Sequence, residues 1–181
     1  MKKFLLLTAV TVFGAATLVG CNAEKAYNYA EFKNVVEKNN PTFTSTKAVR
    51  SAEEDGKKLD EVDYTWDATK KVWTYEEYED FDGEMILTNG YANLDIKFYV
   101  KNIEQELTFA GLTGKADDYY KFYASGSNYR MSFAIDLKEQ KYEGEYKFNK
   151  EGLLTYSHAK TTEIASKKVI NERTETYKYS K

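Results

Sequence analysis

Cysteine, proline and histidine each occur once in this chain, as Cys21, Pro41 and His158. Each scarcity removes a class of explanation. A single thiol allows no internal disulfide and no thiolate-rich zinc site. A single imidazole makes His158 the one side chain on which a histidine-led triad or a neutral-pH general base would depend, and it leaves no histidine cluster for zinc or copper. A single proline excludes a proline-rich stalk. Basic charge is short as well: 26 Lys and Arg stand against 29 Asp and Glu. That balance provides no basic face for nucleic acid.

The first uncharged run is also too short for one role. Lys2 and Lys3 precede Phe4–Val19, sixteen residues without a charge. A membrane-spanning helix needs about 20 apolar residues, and Thr8, Thr11, Gly14 and Thr17 dilute this run further. A basic start, an apolar middle and an abrupt polar change at Asn22-Ala23-Glu24-Lys25 instead read as a secretory signal peptide.

The cysteine sits at that change. Leu18-Val19-Gly20-Cys21 resembles the lipobox of bacterial lipoproteins, in which Leu, a small or aliphatic residue, Gly or Ala, and Cys follow the apolar run. The resemblance implies cleavage between Gly20 and Cys21 and a thioether-linked diacylglycerol on Cys21. One acyl chain binds a bilayer only marginally, whereas two or more, at about 0.8 kcal/mol per buried CH₂, hold a protein there. The expectation is an exported chain anchored on the outer face of the cell membrane or on an outer membrane. Residues 1–20 would be the signal peptide, residues 21–40 a lipidated N-terminus with a helix, and residues 41–181 a sheet that forms one globular domain with that helix. The mature part would carry 24 basic and 29 acidic residues, a net of −5, so the lipid would be its sole attraction to an anionic surface.

Aromatic residues are plentiful, at 15% with 16 tyrosines. Tyr suits half-buried pleated surfaces, because its ring packs while its hydroxyl reaches water. Between Glu24 and Asn39, Tyr29, Phe32, Val35 and Val36 make a helical stripe, which Asn39-Asn40-Pro41 ends. Thr42–Val49 reads as a strand, with Asp55-Gly56 as a turn. Val62, Tyr64 and Trp66 share a strand face, residues 67–71 read as a hairpin loop, and Trp73 falls on the returning strand. Residues 84–111 fit two patterns. Leu94, Ile96, Phe98 and Val100 alternate like a strand, while Ile96, Val100, Ile103 and Leu107 are spaced like a helix face. The spacing favours a helix somewhere between Asn89 and Glu106. Beyond Tyr119, strands follow at short intervals, separated by Ser125-Gly126-Ser127-Asn128, Asn149-Lys150-Glu151-Gly152 and Ser166-Lys167-Lys168. Met131, Phe133, Ile135 and Leu137 alternate with Ser132, Ala134 and Asp136, so one sheet face is apolar. The reading is α+β: an antiparallel meander with one or two helices on its apolar face.

That arrangement, with the "KEGLLTY" hairpin (Lys150–Tyr156), resembles the half-barrel lipoproteins of the LolA, LolB and LppX type. The resemblance implies a curved sheet wrapped around its helices and an apolar ligand held between them, with Met131, Phe133, Ile135 and Leu137 lining the site.

No motif supplies chemistry. His158, in "TYSHAK", reads as a solvent-facing strand residue. In Tyr75–Glu84, "YEEYEDFDGE", the acids alternate, but Gly83 is fourth from Asp80 where an EF-hand loop needs glycine sixth, so the stretch reads as a charged loop. Gly111–Asp118 has two residues between glycines, not the four of a P-loop, and Ala116 where that motif needs Ser or Thr; it reads as a turn. Nothing selects a carboxylate pair for glycoside hydrolysis. The expectation is therefore a non-catalytic binding protein without a cofactor or metal. Its partner would be an apolar ligand on the inner face. The alternative is a surface protein, as for an adhesin or inhibitor, bound by tyrosines on the solvated face, where alternation puts about half of Tyr119, Tyr120, Tyr123, Tyr129, Tyr142 and Tyr146.

Overall fold

A computed structural model of the chain describes residues 24–181; Gly20 and Cys21 lie outside the described residues. The elements in order are β1 (Lys25–Tyr27), α1 (Tyr29–Asn39), β2 (Lys47–Glu54), β3 (Lys57–Asp67), β4 (Val72–Phe81), β5 (Glu84–Ala92), α2 (Ile96–Phe109), α3 (Ala116–Tyr119), β6 (Tyr120–Ser125), β7 (Asn128–Leu137), β8 (Gln140–Phe148), β9 (Leu154–Glu163) and β10 (Val169–Ser180). The strands form one open antiparallel sheet of order β1-β6-β7-β8-β9-β10-β2-β3-β4-β5. Two meanders, β6–β10 and β2–β5, meet where β10 pairs with β2. The α+β reading and the curved antiparallel sheet hold.

Tight hairpins set the registers. Glu54 pairs with Lys57 across Asp55-Gly56, and Phe81 with Glu84 across Asp82-Gly83. In both turns the two central residues have positive φ, the type I′ geometry that Asp-Gly favours because its twist matches that of the strands. The acidic stretch Tyr75–Glu84 is therefore the end of β4 and its turn into β5, not a loop. The turn signal of Asp82-Gly83 outweighs the density of charge around it.

Both longer helices are capped by side chains. Asn28 accepts from the Glu31 amide while Glu31 accepts from the Asn28 amide, a capping box. Asp95 accepts from the Lys97 amide. Between residues 84 and 111 the chain uses both patterns in succession: a strand to Ala92, then a helix from Ile96 that buries Ile96, Val100, Ile103 and Leu107. The α2 start is pinned from outside. The Ile96 amide donates to the Gly152 carbonyl at 2.7 Å, and the Leu154 amide to the Leu94 carbonyl at 2.8 Å. Gly152 has φ +75°, and a Cβ there would press on Ile96 and Pro41, so only glycine fits the contact.

The helices pack on one face of the sheet. Phe32 of α1 contacts Phe122 and Tyr129 (ring centroids 5.1 and 6.1 Å), and Tyr99 of α2 contacts Tyr146 and Phe148 (5.2 and 5.3 Å). Trp66 and Trp73 are directly paired across β3 and β4, 5.5 Å apart; such cross-strand aromatic pairs contribute about 0.2–1 kcal/mol each.

Candidate ligand-binding face

The inner face of the sheet, the one that carries the helices, changes character along β7. Met131 is 1% exposed and belongs to the core beneath the helices. Phe133, Ile135 and Leu137 are half-buried and continue along the same face. The apolar side chains of this strand are thus split between a sealed part and an accessible part, and the accessible part starts at Phe133.

Phe133 rests on a gap. It is registered opposite Gly144, and a Cβ on Gly144 would overlap both the Phe133 ring and the His158 carbonyl oxygen. Gly144 lets β8 and β9 approach and leaves room for the ring to lie across, an arrangement in which an aromatic cross-strand partner compensates for glycine. Phe133 stacks on Tyr146 at 5.7 Å and meets Tyr120 at 5.9 Å. Further along, Ile135 faces Tyr142, whose hydroxyl donates to Gln140 Oε1.

Beside this apolar strip lies a charged one. Register places Tyr177, Glu175 and Arg173 of β10 on the inner face, opposite Arg50, Ala52 and Glu54 of β2. Glu175 accepts from Tyr177 Oη at 2.7 Å, from Arg173 Nε at 3.0 Å and from Ser157 Oγ at 3.3 Å, and Arg50 is 3.6 Å away. Burial by itself would raise the Glu175 pKa. The hydrogen bonds from Tyr177 and Arg173 and the two guanidinium charges outweigh it and hold the carboxyl below its ordinary value. Arg50 and Glu175 are 17% and 16% exposed, while Arg173 is 37% exposed. Arg173 Nη2 also lies 2.8 Å from Glu175 Oε1, and this guanidinium is the most exposed member of the centre. Arg50 Nε is buried and has no protein acceptor.

Tyrosine hydroxyls close this centre. Burial, followed by the charge of nearby groups, pushes Tyr146 up to about 12 and raises Tyr99 and Tyr177 as well. All three are neutral donors near neutral pH. Taken together, this part of the inner face carries an apolar strip on β7, and a guanidinium and phenolic hydroxyls further across the same face. It can hold an apolar body and hydrogen-bond a polar end. The sequence carries a signal for the charged strip, because Arg173, Glu175, Tyr177 and Tyr179 alternate. Charged residues in that alternation read naturally as the solvated side, and so the strip was missed.

The tyrosines of the last third are not shared evenly between faces. Tyr120, Tyr129, Tyr142 and Tyr146 all fall on the inner face by register with Phe133, Phe148, Ile135 and Met131. Tyr119 ends α3 and donates to the Thr113 carbonyl. Tyr123, beneath the Arg130 guanidinium at 3.9 Å, is left on the outer face. Hairpin register couples the parities of neighbouring strands, so tyrosines at matching phases collect on one side.

His158 lies on the outer face, with Nε2 2.9 Å from Glu172. It does so although Leu154, four residues earlier, is buried. The register shifts between Lys147–Tyr156 and Phe148–Leu154, a bulge at Thr155 that moves the later residues of β9 to the opposite phase. Nearby, Arg130 holds Glu24 with two hydrogen bonds of 2.9 and 2.6 Å. Residues 111–115 form the turn before α3. Among the described residues, no group of three or more His, Cys, Asp or Glu is placed to hold a metal ion, and no helix is long and apolar enough to cross a membrane. Comparisons with family models, with curated proteins and with solved structures give no match.

Proposed function

We propose that this chain is an exported lipoprotein, anchored through Cys21 after cleavage at Gly20, that binds an amphiphilic ligand and catalyses no reaction. The ligand's apolar part would lie along Phe133, Ile135 and Leu137, and its polar end would meet Arg173. One observation carries the reading: an apolar strip left half-open beside a mostly buried charged centre, on the face that the helices cover only in part. Apolar side chains with a few polar groups among them are the usual lining of a small-molecule site. Met131 supports it from beneath as part of the core. The lipobox resemblance of residues 18–21 supports the anchor, and placement at a membrane surface suits a ligand drawn from lipid.

Native mass spectrometry of residues 24–181 purified from the host tests the ligand. Co-purified amphiphile is expected, and a paired Ile135→Glu, Leu137→Glu variant that keeps its fold should lose it. Protein that emerges empty and fails to bind a fluorescent fatty acid would rule the reading out. The anchor is tested separately. Cys21→Ser should release the protein from membranes and block processing, and a variant still processed and membrane-bound contradicts lipidation.

A further inference from the structure

The β4–β5 hairpin projects beyond the sheet. β3 pairs with β4 only between Tyr64–Asp67 and Val72–Tyr75, whereas β4 and β5 pair continuously from Trp73–Ala92 to Phe81–Glu84. Residues 76–81 thus have a strand on one side alone, and β5 is the last strand of the sheet. The arm is unusually apolar for such a place. Tyr78, Phe81, Met85 and Tyr91 are 62%, 68%, 63% and 78% exposed, and Ile86 and Leu87 are exposed as well. Edge strands are normally blunted by lysine, proline or a bulge. β5 has none of these, and its one charge is Glu84 at its start.

Charge then selects the occupant. Glu76, Glu77, Glu79, Asp80, Asp82 and Glu84 all lie on the arm, and no Lys or Arg occurs between Lys71 and Lys97. None of these six carboxylates has an ion-pair partner among the described residues. A second copy pairing edge to edge would bring acidic arms together, and an anionic lipid surface or nucleic acid would be repelled. We propose that the free edge of β5 docks an extended segment of a partner protein in which basic and aliphatic residues alternate. The segment adds an eleventh strand: main-chain hydrogen bonds supply the pairing, and lysine or arginine side chains reach the β4 carboxylates.

Fluorescence anisotropy of the described domain with short synthetic peptides tests this. A lysine–valine alternating peptide should bind, and its affinity should fall at least about tenfold between about 50 and about 300 mM salt as the charges are screened. A glutamate–valine peptide should bind at least about tenfold more weakly. The lysine–valine peptide with proline at its centre should also lose at least about tenfold, because it cannot complete the main-chain ladder. A Glu77→Lys, Glu79→Lys, Asp80→Lys variant, with its fold checked by circular dichroism, should lose binding to the lysine–valine peptide. On binding, the β5 amides should become protected from hydrogen exchange. Equal affinity for all three peptides, or binding that leaves β5 unprotected, overturns the proposal. So does a dimer in solution that Leu87→Lys dissociates, since the edge would then belong to a second copy.

Discussion

At the scale of single residues, Gly144 and Glu175 show how the inner face is built from unlike parts. Gly144 has backbone on one side, the His158 carbonyl, and a ring on the other. Gly144→Ala must therefore shift β9 itself, at a cost of about 1–3 kcal/mol as for other overpacked sites. At Gly90, opposite Tyr75, the atoms nearest an added Cβ belong to that side chain. A side chain can rotate aside, so Gly90→Ala should cost clearly less. Urea unfolding of the two variants checks the order. Glu175 gives a pH signature. Its carboxyl is held below the ordinary 4.5 in the folded chain, so its stabilisation is present above the unfolded value and is lost as pH falls through the folded one. Glu175→Gln should thus lower stability by about 1.5–3 kcal/mol near neutral pH, the usual worth of hydrogen bonds to a charged group. The gap to the parent should close as pH falls below the ordinary 4.5 and on through the lowered folded value. A gap that is constant from pH 7 to pH 3 would show that the carboxylate charge is not what matters.

At the scale of elements, the molecule depends on loops that position helices over the sheet. Asn28 closes α1, and Asn28→Ala should cost about 1 kcal/mol. Leu153, 0% exposed, sits in the β8–β9 loop that pins the α2 start through Gly152 and Leu154. Leu153→Ala should cost about 2–5 kcal/mol by opening a cavity there. Hydrogen exchange should show loosening concentrated in α2, and equal loosening of β2–β4 would argue against the loop as its clamp. Much of this was legible in the sequence. The α1 stripe, the paired tryptophans and the β6–β10 meander follow from periodicity and turn residues, which are local properties. Two features were not legible. β5 was hidden because its few apolar residues neither alternate with charge nor face a core. The charged strip on β10 looks solvated until β2 is known to lie beside it, and that pairing joins residues more than a hundred positions apart. Local chemistry names elements, but partners distant in sequence decide which face is inside.

At the scale of the whole molecule, the two edges of the sheet have different company. β1 begins one residue after Glu24, which Arg130 clamps. The edge at β5 bears the projecting arm. With adjacent strands about 4.8 Å apart, nine intervals put roughly 40 Å of sheet between them, measured along its curve. Were Cys21 lipidated as proposed, the three residues from it to Glu24 would span at most about 11 Å, and the β1 edge would sit at the bilayer. A dye on Ser127→Cys, in the β6–β7 turn near that edge, should then transfer energy to a membrane acceptor more efficiently than one on Asp82→Cys at the arm's tip. Equal transfer would mean that the domain lies flat. With such an anchor, the Glu24–Arg130 clamp would have a mechanical consequence as well: it would fix the point at which the chain leaves the sheet for the lipid. Were the sheet to stand upright from that point, a guest seized by the opposite rim would be kept a sheet's breadth away from the lipid.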